Sequence, residues 1–195
     1  FLLLFFTSLI SMQRRVVFSG VGCLTPIGNS VEESWNSVLK GKSGTARVTQ
    51  IDPERFASKV AAEIKNFNPL QYLSQKQLKK TDRFAQLAVA ASKMAIEDSK
   101  LDLKKEDPYL IGVLIGSGIG GLRTIEEQHK ILLEKGADRV SPFLIPMLIV
   151  NMAPGQVAIE FGLKGPNNCV ATACATGSHA LGDAFKIIQR GEAQI

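Results

Sequence analysis

The chain has 195 residues, 45% hydrophobic and 21% charged, enough apolar material for a domain core without disulfides or a metal and far from a disordered or collagen-like composition. Its three cysteines form no C-x-x-C pair, which excludes a disulfide scaffold or zinc ribbon and fits a reducing compartment. The net charge of +5 suits an acidic partner but is not the dense Lys/Arg field of a nucleic-acid binder, so no nucleic acid is expected.

Residues 1–11 are almost entirely apolar, and the chain opens on Phe1 rather than Met. A secretory signal wants positive charge before its apolar run, whereas Arg14 and Arg15 follow this one. The run is also short of the roughly 20 apolar residues that span a bilayer. It reads as upstream read-through or a mis-assigned start, with Met12 the natural first residue; a membrane anchor or targeting remnant is the alternative. Residues 12–195 then form one unit. Arg15 to Gly22 (RVVFSGVG) is a β-branched run closed by glycines and predicts a buried strand. Ser30 is an N-cap candidate for a helix over Val31 to Leu39, with Glu33 as its capping-box partner.

The stretch from Gly41 to Leu73 is mixed and loop-rich. Phe84, Leu87, Ala88, Ala91, Met94 and Ala95 recur at three- and four-residue steps and predict an amphipathic helix to about Ser99. Tyr109 to Ile115 is a continuous apolar run, the pattern of a strand covered on both faces. GSGIGG (116–121) leads into a helix through about Glu134, and a further helix is predicted over Asn151 to Phe161. A short strand at Asn168 to Thr172 precedes a helix over Ala175 to Arg190. Gly191 then reads as a C-cap glycine followed by the first residues of a strand, so the sequence is expected to be incomplete at both ends. Strands alternating with helices predict an α/β fold with a largely parallel, buried sheet.

Gly116, Gly118 and Gly121 satisfy G-x-G-x-x-G between a strand and a helix, a pattern that can cradle a pyrophosphate. The acidic residue that a dinucleotide site carries on its next strand is missing; a glycine turn lining another pocket is the preferred reading. Cys174 stands between a short strand and a helix, with Ala173, Ala175 and Gly177 leaving room for a substrate. A helix N-terminus favours a thiolate and offers N–H groups to an oxyanion, so the placement predicts a nucleophile rather than a packed cysteine. Cys23 and Cys169, in strand-like runs, read as structural. The two histidines read as a solvated His129 and a packed, hydrogen-bonded His179; five residues of helix separate His179 from the thiol, and no metal-ligand spacing is present. Lys76, Lys79, Lys80 and Arg83 fall on one helical face, which is either solvated surface or a docking site for an acidic protein.

These motifs together resemble the β-ketoacyl-acyl-carrier-protein synthases, the condensing enzymes of fatty acid elongation. The resemblance rests on VVFSGVGCLTPIGNSVEESW, GSGIGG, SPFLIPMLIVNMAPGQVAIEFGLKGPN and ACATGSHALGDAFKIIQRGEA, and runs from about Met12 to Ile195. GSGIGG and the SPF-to-NM segment are more similar to the type II than the type I enzyme. The resemblance implies a thiolase-like fold layered α/β/α/β/α, usually homodimeric, of which this chain would form the first half. It implies that Cys174 takes an acyl group from acyl carrier protein, and that malonyl-carrier protein then condenses with it. The oxyanion hole would use the nucleophile's own N–H and a second N–H from the C-terminal half. Ile119 falls where the family limits acyl chain length, and Leu144 where the dimer partner lines the pocket. Lys76, Lys79 and Lys80 fall on basic positions that meet the carrier protein. No cofactor, metal or membrane partner is implied, and a cytoplasmic or bacterium-derived organellar location is expected. The family's catalytic histidines and lysine lie in the second half, so residues 12–195 are expected to accept an acyl group but not to condense. A half-length, non-catalytic partner that binds carrier protein or a complete synthase is the alternative. Part of the sheet core is expected to be exposed.

Overall fold

A computed structural model describes residues 14–195, so the apolar segment 1–11 and the proposed start at Met12 lie outside the described residues. Helices dominate. In chain order they are α1 (Val31–Leu39), α2 (Gln75–Leu78), α3 (Arg83–Ser99), α4 (Leu122–Lys135), α5 (Leu144–Leu148), α6 (Met152–Phe161) and α7 (Thr176–Arg190). Strands β1 (Thr45–Arg47) and β2 (Val60–Ala62) pair antiparallel. Strands β3 (Val113–Leu114) and β4 (Asn167–Asn168) pair parallel, with Val113 opposite Asn167 and Leu114 opposite Asn168.

The parallel pairing is the expected one, but its strands are shorter than the apolar runs. Pro108 opens a 3-10 turn through Leu110, fixed by Asp107 accepting the Tyr109 N–H at 2.9 Å, and this removes the front of the 109–115 run from the ladder. Backbone bonds still extend the sheet. Ser117 N–H donates to the Val170 carbonyl at 3.1 Å, and on the other edge Gly112 N–H donates to the Ile195 carbonyl at 2.7 Å. The segment after α7 therefore runs beside β3, as the C-cap glycine predicts; Gly191 takes the left-handed conformation, with φ +80°.

Residues 15–22 do not form the predicted strand. They lie against α3 without a hydrogen-bonded ladder among the described residues, Val21 N–H donating to Asp98 Oδ2 at 2.9 Å. Their glycines serve close approach: a Cβ on Gly22 would stand 1.9 Å from the Ala91 carbonyl oxygen. Gly22→Ala is therefore expected to destabilise the fold by about 1–3 kcal/mol, as overpacking against fixed backbone does, measured as a lower urea midpoint.

The core forms where α3 packs on α6 beside β3. Leu73, Val89, Val113 and Val157 are its buried centre, with Ile115, Phe161 and Leu163 packed round them. Caps set the helix ends. Ser30 accepts the Glu33 N–H at 3.1 Å, as predicted, while the Glu33 carboxylate reaches the N–H of Asn29, one residue before the cap. An apolar face stays open: Phe18 is 81% exposed and Leu181 57%, beside half-exposed Phe185. These side chains lie on the segment before α1 and on α7 rather than on the sheet, whose Val113 is buried.

Candidate active site

Cys174 occupies the middle of a one-turn 3-10 segment, Ala173–Ala175, that leads straight into α7, and it is exposed. Ala173 holds φ at +49°, a left-handed backbone that costs a non-glycine residue about 1–3 kcal/mol and persists only where the surroundings over-determine it. Two bonds do so. Ala175 N–H donates to the Thr172 carbonyl at 3.0 Å, and Thr172 N–H donates to Thr176 Oγ1 at 2.8 Å. Ala175, at the N-cap of α7, has no side-chain acceptor to occupy the first-turn N–H groups. Backbone carbonyls already take the Ala175 and Thr176 N–H groups, those of Thr172 and Ala173, so what the α7 entrance offers an anion formed beside Cys174 is chiefly the positive end of its dipole.

The glycine loop 116–121 is wedged between this turn and α5. A Cβ on Gly116 would lie 2.1 Å from Thr176 Cγ2, and one on Gly118 would lie 3.8 Å from Ala173 Cα. At the other end, Cβ atoms on Gly120 and Gly121 would stand 2.3 and 2.2 Å from the Leu148 and Met147 carbonyl oxygens. These glycines are used for packing against protein, which favours the turn-lining reading over a phosphate cradle. The loop carries Ile119, 66% exposed, between the Cys174 turn and the helix that holds half-buried Leu144. Cys174, Ile119 and Leu144 are thus on three adjoining elements.

The lysines are arranged differently from the single helical face that spacing predicts. Helix α2 ends at Leu78, Thr81 folds back to donate to the Gln77 carbonyl at 2.9 Å, and Asp82 starts α3 by accepting the Phe84 N–H at 3.2 Å. Lys76 and Lys79 are exposed. Lys80 instead lies over the Phe143 ring, 4.5 Å from its centroid, immediately before α5, while Arg83 donates to the Ile64 carbonyl at 3.0 Å. Two of the four cations are therefore already engaged within the chain.

The remaining candidates are corrected in part. His179 is hydrogen-bonded but not packed: its side chain is 45% exposed, with Nε2 3.4 Å from Asp183 and Nδ1 3.4 Å from Thr172 Oγ1. His129 is exposed, as expected. Cys23 and Cys169 are half-buried rather than buried, and their thiols lie 3.7 and 3.6 Å from Ser34 Oγ and the Val170 carbonyl. Among the described residues, no three His, Cys, Asp or Glu side chains gather to hold a metal, and no helix is long and apolar enough to cross a membrane. Sequence reasoning missed Thr172 and Thr176, whose four-residue spacing brackets Cys174. It also missed Asp82, which accepts from Thr124 Oγ1 at 2.6 Å and ties α3 to the helix after the glycine loop.

Comparisons with known proteins converge. Residues 13–195 match the family described as Beta-ketoacyl synthase, N-terminal domain. The 3-oxoacyl-[acyl-carrier-protein] synthase 2 of Staphylococcus aureus (strain COL) is 49% identical over 183 residues, covering 94% of this chain and 44% of that protein. Its namesake from Synechocystis sp. is 48% identical over 182 residues, covering 93% of this chain and 44% of that protein. Among solved structures, the ishigamide ketosynthase/chain length factor superposes with a TM-score of 0.85 at 28% identity, covering 93% of this chain and 45% of that one. A type II polyketide ketosynthase in complex with its acyl-carrier protein gives a TM-score of 0.79 at 26% identity, over 93% of this chain and 49% of that one. The chain spans less than half the length of the curated relatives it matches.

Proposed function

This chain belongs to the β-ketoacyl synthase family and has its thiolase-like α/β fold, and on that premise we propose that it is the nucleophile-bearing part of a 3-oxoacyl-[acyl-carrier-protein] synthase of fatty acid biosynthesis. The observation that carries the reading is Cys174: exposed, on a strained turn at the uncapped entrance of α7, beside a loop of glycines. Its thiolate attacks the thioester carbon of an acyl-carrier protein. The new sulfur–carbon bond replaces the donor's, and the carrier leaves as a thiolate that takes up the proton lost when the Cys174 thiol ionised. The N–H of Cys174 is the donor this span brings to the oxygen that becomes negative during attack, with a second N–H from the C-terminal half. In the condensation that follows, malonyl-carrier protein loses carbon dioxide and its carbanion displaces Cys174 from the acyl carbon, giving the 3-oxoacyl product and a free thiol. Ile119 limits how far the acyl chain extends, and Leu144 lines the pocket, with a second copy of the chain completing it as a homodimer.

Residues 14–195 show no histidine bonded to the Cys174 sulfur, so base chemistry in condensation is not assigned to this span. The exposed Lys76 and Lys79 fit a second reading equally, a non-catalytic partner that binds carrier protein or a complete synthase. The deciding experiment incubates the protein, at its full encoded length, with acyl- and malonyl-carrier protein. An acyl group mapped by mass to Cys174, with 3-oxoacyl product, supports the synthase. Carrier binding without acylation leaves the partner reading.

Lys76 and Lys79, exposed and cationic, dock the acidic carrier protein. The double variant Lys76→Glu, Lys79→Glu is expected to raise KM for acyl-carrier protein on the order of ten-fold at low salt, because charge chiefly sets the encounter rate. The same variant should leave transfer from a small neutral thioester unchanged. An unchanged KM at low salt would remove the lysines from the docking surface.

A further inference from the structure

We infer that Thr176 is the positioning residue that holds the Cys174 turn in acyl-accepting geometry, an inference that rests on Cys174 being the acylated nucleophile. The residue is 6% exposed and its side chain works in two directions. Oγ1 accepts the Thr172 N–H at 2.8 Å, joining the residue two before Cys174 to the residue two after it. Cγ2 faces Gly116 so closely that a Cβ there would lie 2.1 Å away. Because Ala175 N–H also holds the Thr172 carbonyl at 3.0 Å, the arc that contains Cys174 is tied at both of its upstream backbone groups.

The strained residue needs those ties. Ala173 at φ +49° relaxes to an ordinary backbone if the arc is released, and Cys174 is the next residue along. Such a shift leaves the thiol present and exposed but moves it relative to the α7 entrance. Acyl transfer depends on that relation, and a displacement near 1 Å can cost on the order of a hundred-fold in rate. Attack on a small alkylating agent arriving from solvent makes no comparable demand.

The hydroxyl and the methyl can be separated in two pairs. Thr176→Val keeps the branched shape and loses the hydroxyl; Thr176→Ser keeps the hydroxyl, and Thr176→Ala lacks both. The probes are octanoyl-N-acetylcysteamine for acyl transfer and iodoacetamide for alkylation, each read by intact mass with Cys174→Ser as the blank, on the protein at full encoded length. Thr176→Val and Thr176→Ala are expected to lose about ten- to a hundred-fold in acyl transfer. Their alkylation should stay within about three-fold of wild type, and Thr176→Ser should recover most of the transfer. If Thr176→Val does not fold, the Ser/Ala pair, which differs only in the hydroxyl, decides. Transfer by Thr176→Ala at the wild-type rate overturns the role of Thr176, and equal losses in Ser and Ala overturn the hydroxyl tie as its basis, while wild-type acylation keeps the nucleophile reading intact. A wild-type protein that takes no acyl group at Cys174 sinks both.

Discussion

Replacing Cys174 with alanine abolishes acyl transfer while leaving the fold in place. Loss of a nucleophile typically lowers turnover by at least about 10³-fold, because the steps that follow have no covalent intermediate to act on. No other thiol stands in for it. Cys23 and Cys169 are half-buried, and each lies within 3.7 Å of a protein oxygen rather than at a helix entrance. Cys174 is exposed and its side chain makes no hydrogen bond to the turn that carries it; that turn is held by Thr172, Ala175 and Thr176 backbone and hydroxyl groups. Stability should therefore change by no more than about 0.5 kcal/mol, the range of surface substitutions. Two measurements check this: an acylation time course followed by intact mass, and a thermal melt of the same sample. Cys23→Ala and Cys169→Ala should retain acylation. If either of those loses it while Cys174→Ala keeps it, the nucleophile has been misassigned.

What could be seen in the sequence follows from which interactions are local. Helix α1 was legible to the residue because Ser30 and Glu33 act within one turn of it, and α3 was legible from apolar periodicity. The strand expected at residues 15–22 was not there to be found locally. Val, Phe and Val describe a residue's preference for extended backbone, but a strand also needs a partner, and this stretch lies on α3 instead. The lysine face failed for a different reason. Helical spacing assumes one continuous helix, and Asp82 ends that assumption by capping α3 where α2 would have continued. Cys174 was readable because a small-residue turn ahead of a helix is a local pattern. The ties that strain that turn were not, since Gly116 and Thr176 are sixty residues apart in a chain of 195 and meet only through the parallel pairing beside β3.

That long-range contact carries the second large effect. Gly116→Ala is expected to destabilise the protein by about 1–3 kcal/mol and to slow acylation of Cys174 on the order of a hundred-fold. The added Cβ would lie 2.1 Å from Thr176 Cγ2 and 2.8 Å from the Thr176 carbonyl oxygen, so two atoms of one residue block it. The methyl cannot simply rotate away, because the same torsion positions Oγ1 on the Thr172 N–H at 2.8 Å. Turning χ1 would trade the clash for an unpaired Thr172 amide two residues before Cys174, and moving the loop would pull Gly118 away from Ala173, 3.8 Å from where its Cβ would stand. Either route disturbs the nucleophile. The double variant Gly116→Ala, Thr176→Ser separates steric from general effects: removing Cγ2 clears the nearer contact and keeps the hydroxyl. It should recover at least about 1 kcal/mol of stability relative to Gly116→Ala alone, the coupling expected of residues in contact. Gly182→Ala is the control, since it sits in α7 with nothing within 4 Å and should stabilise the helix by about 0.5–1 kcal/mol. Urea midpoints for the four proteins and acylation rates at one pH complete the comparison. If Gly116→Ala melts and acylates as wild type does, the glycine loop is not what presses the Cys174 turn into shape, and the strain at Ala173 must be held by the backbone bonds of Thr172 alone.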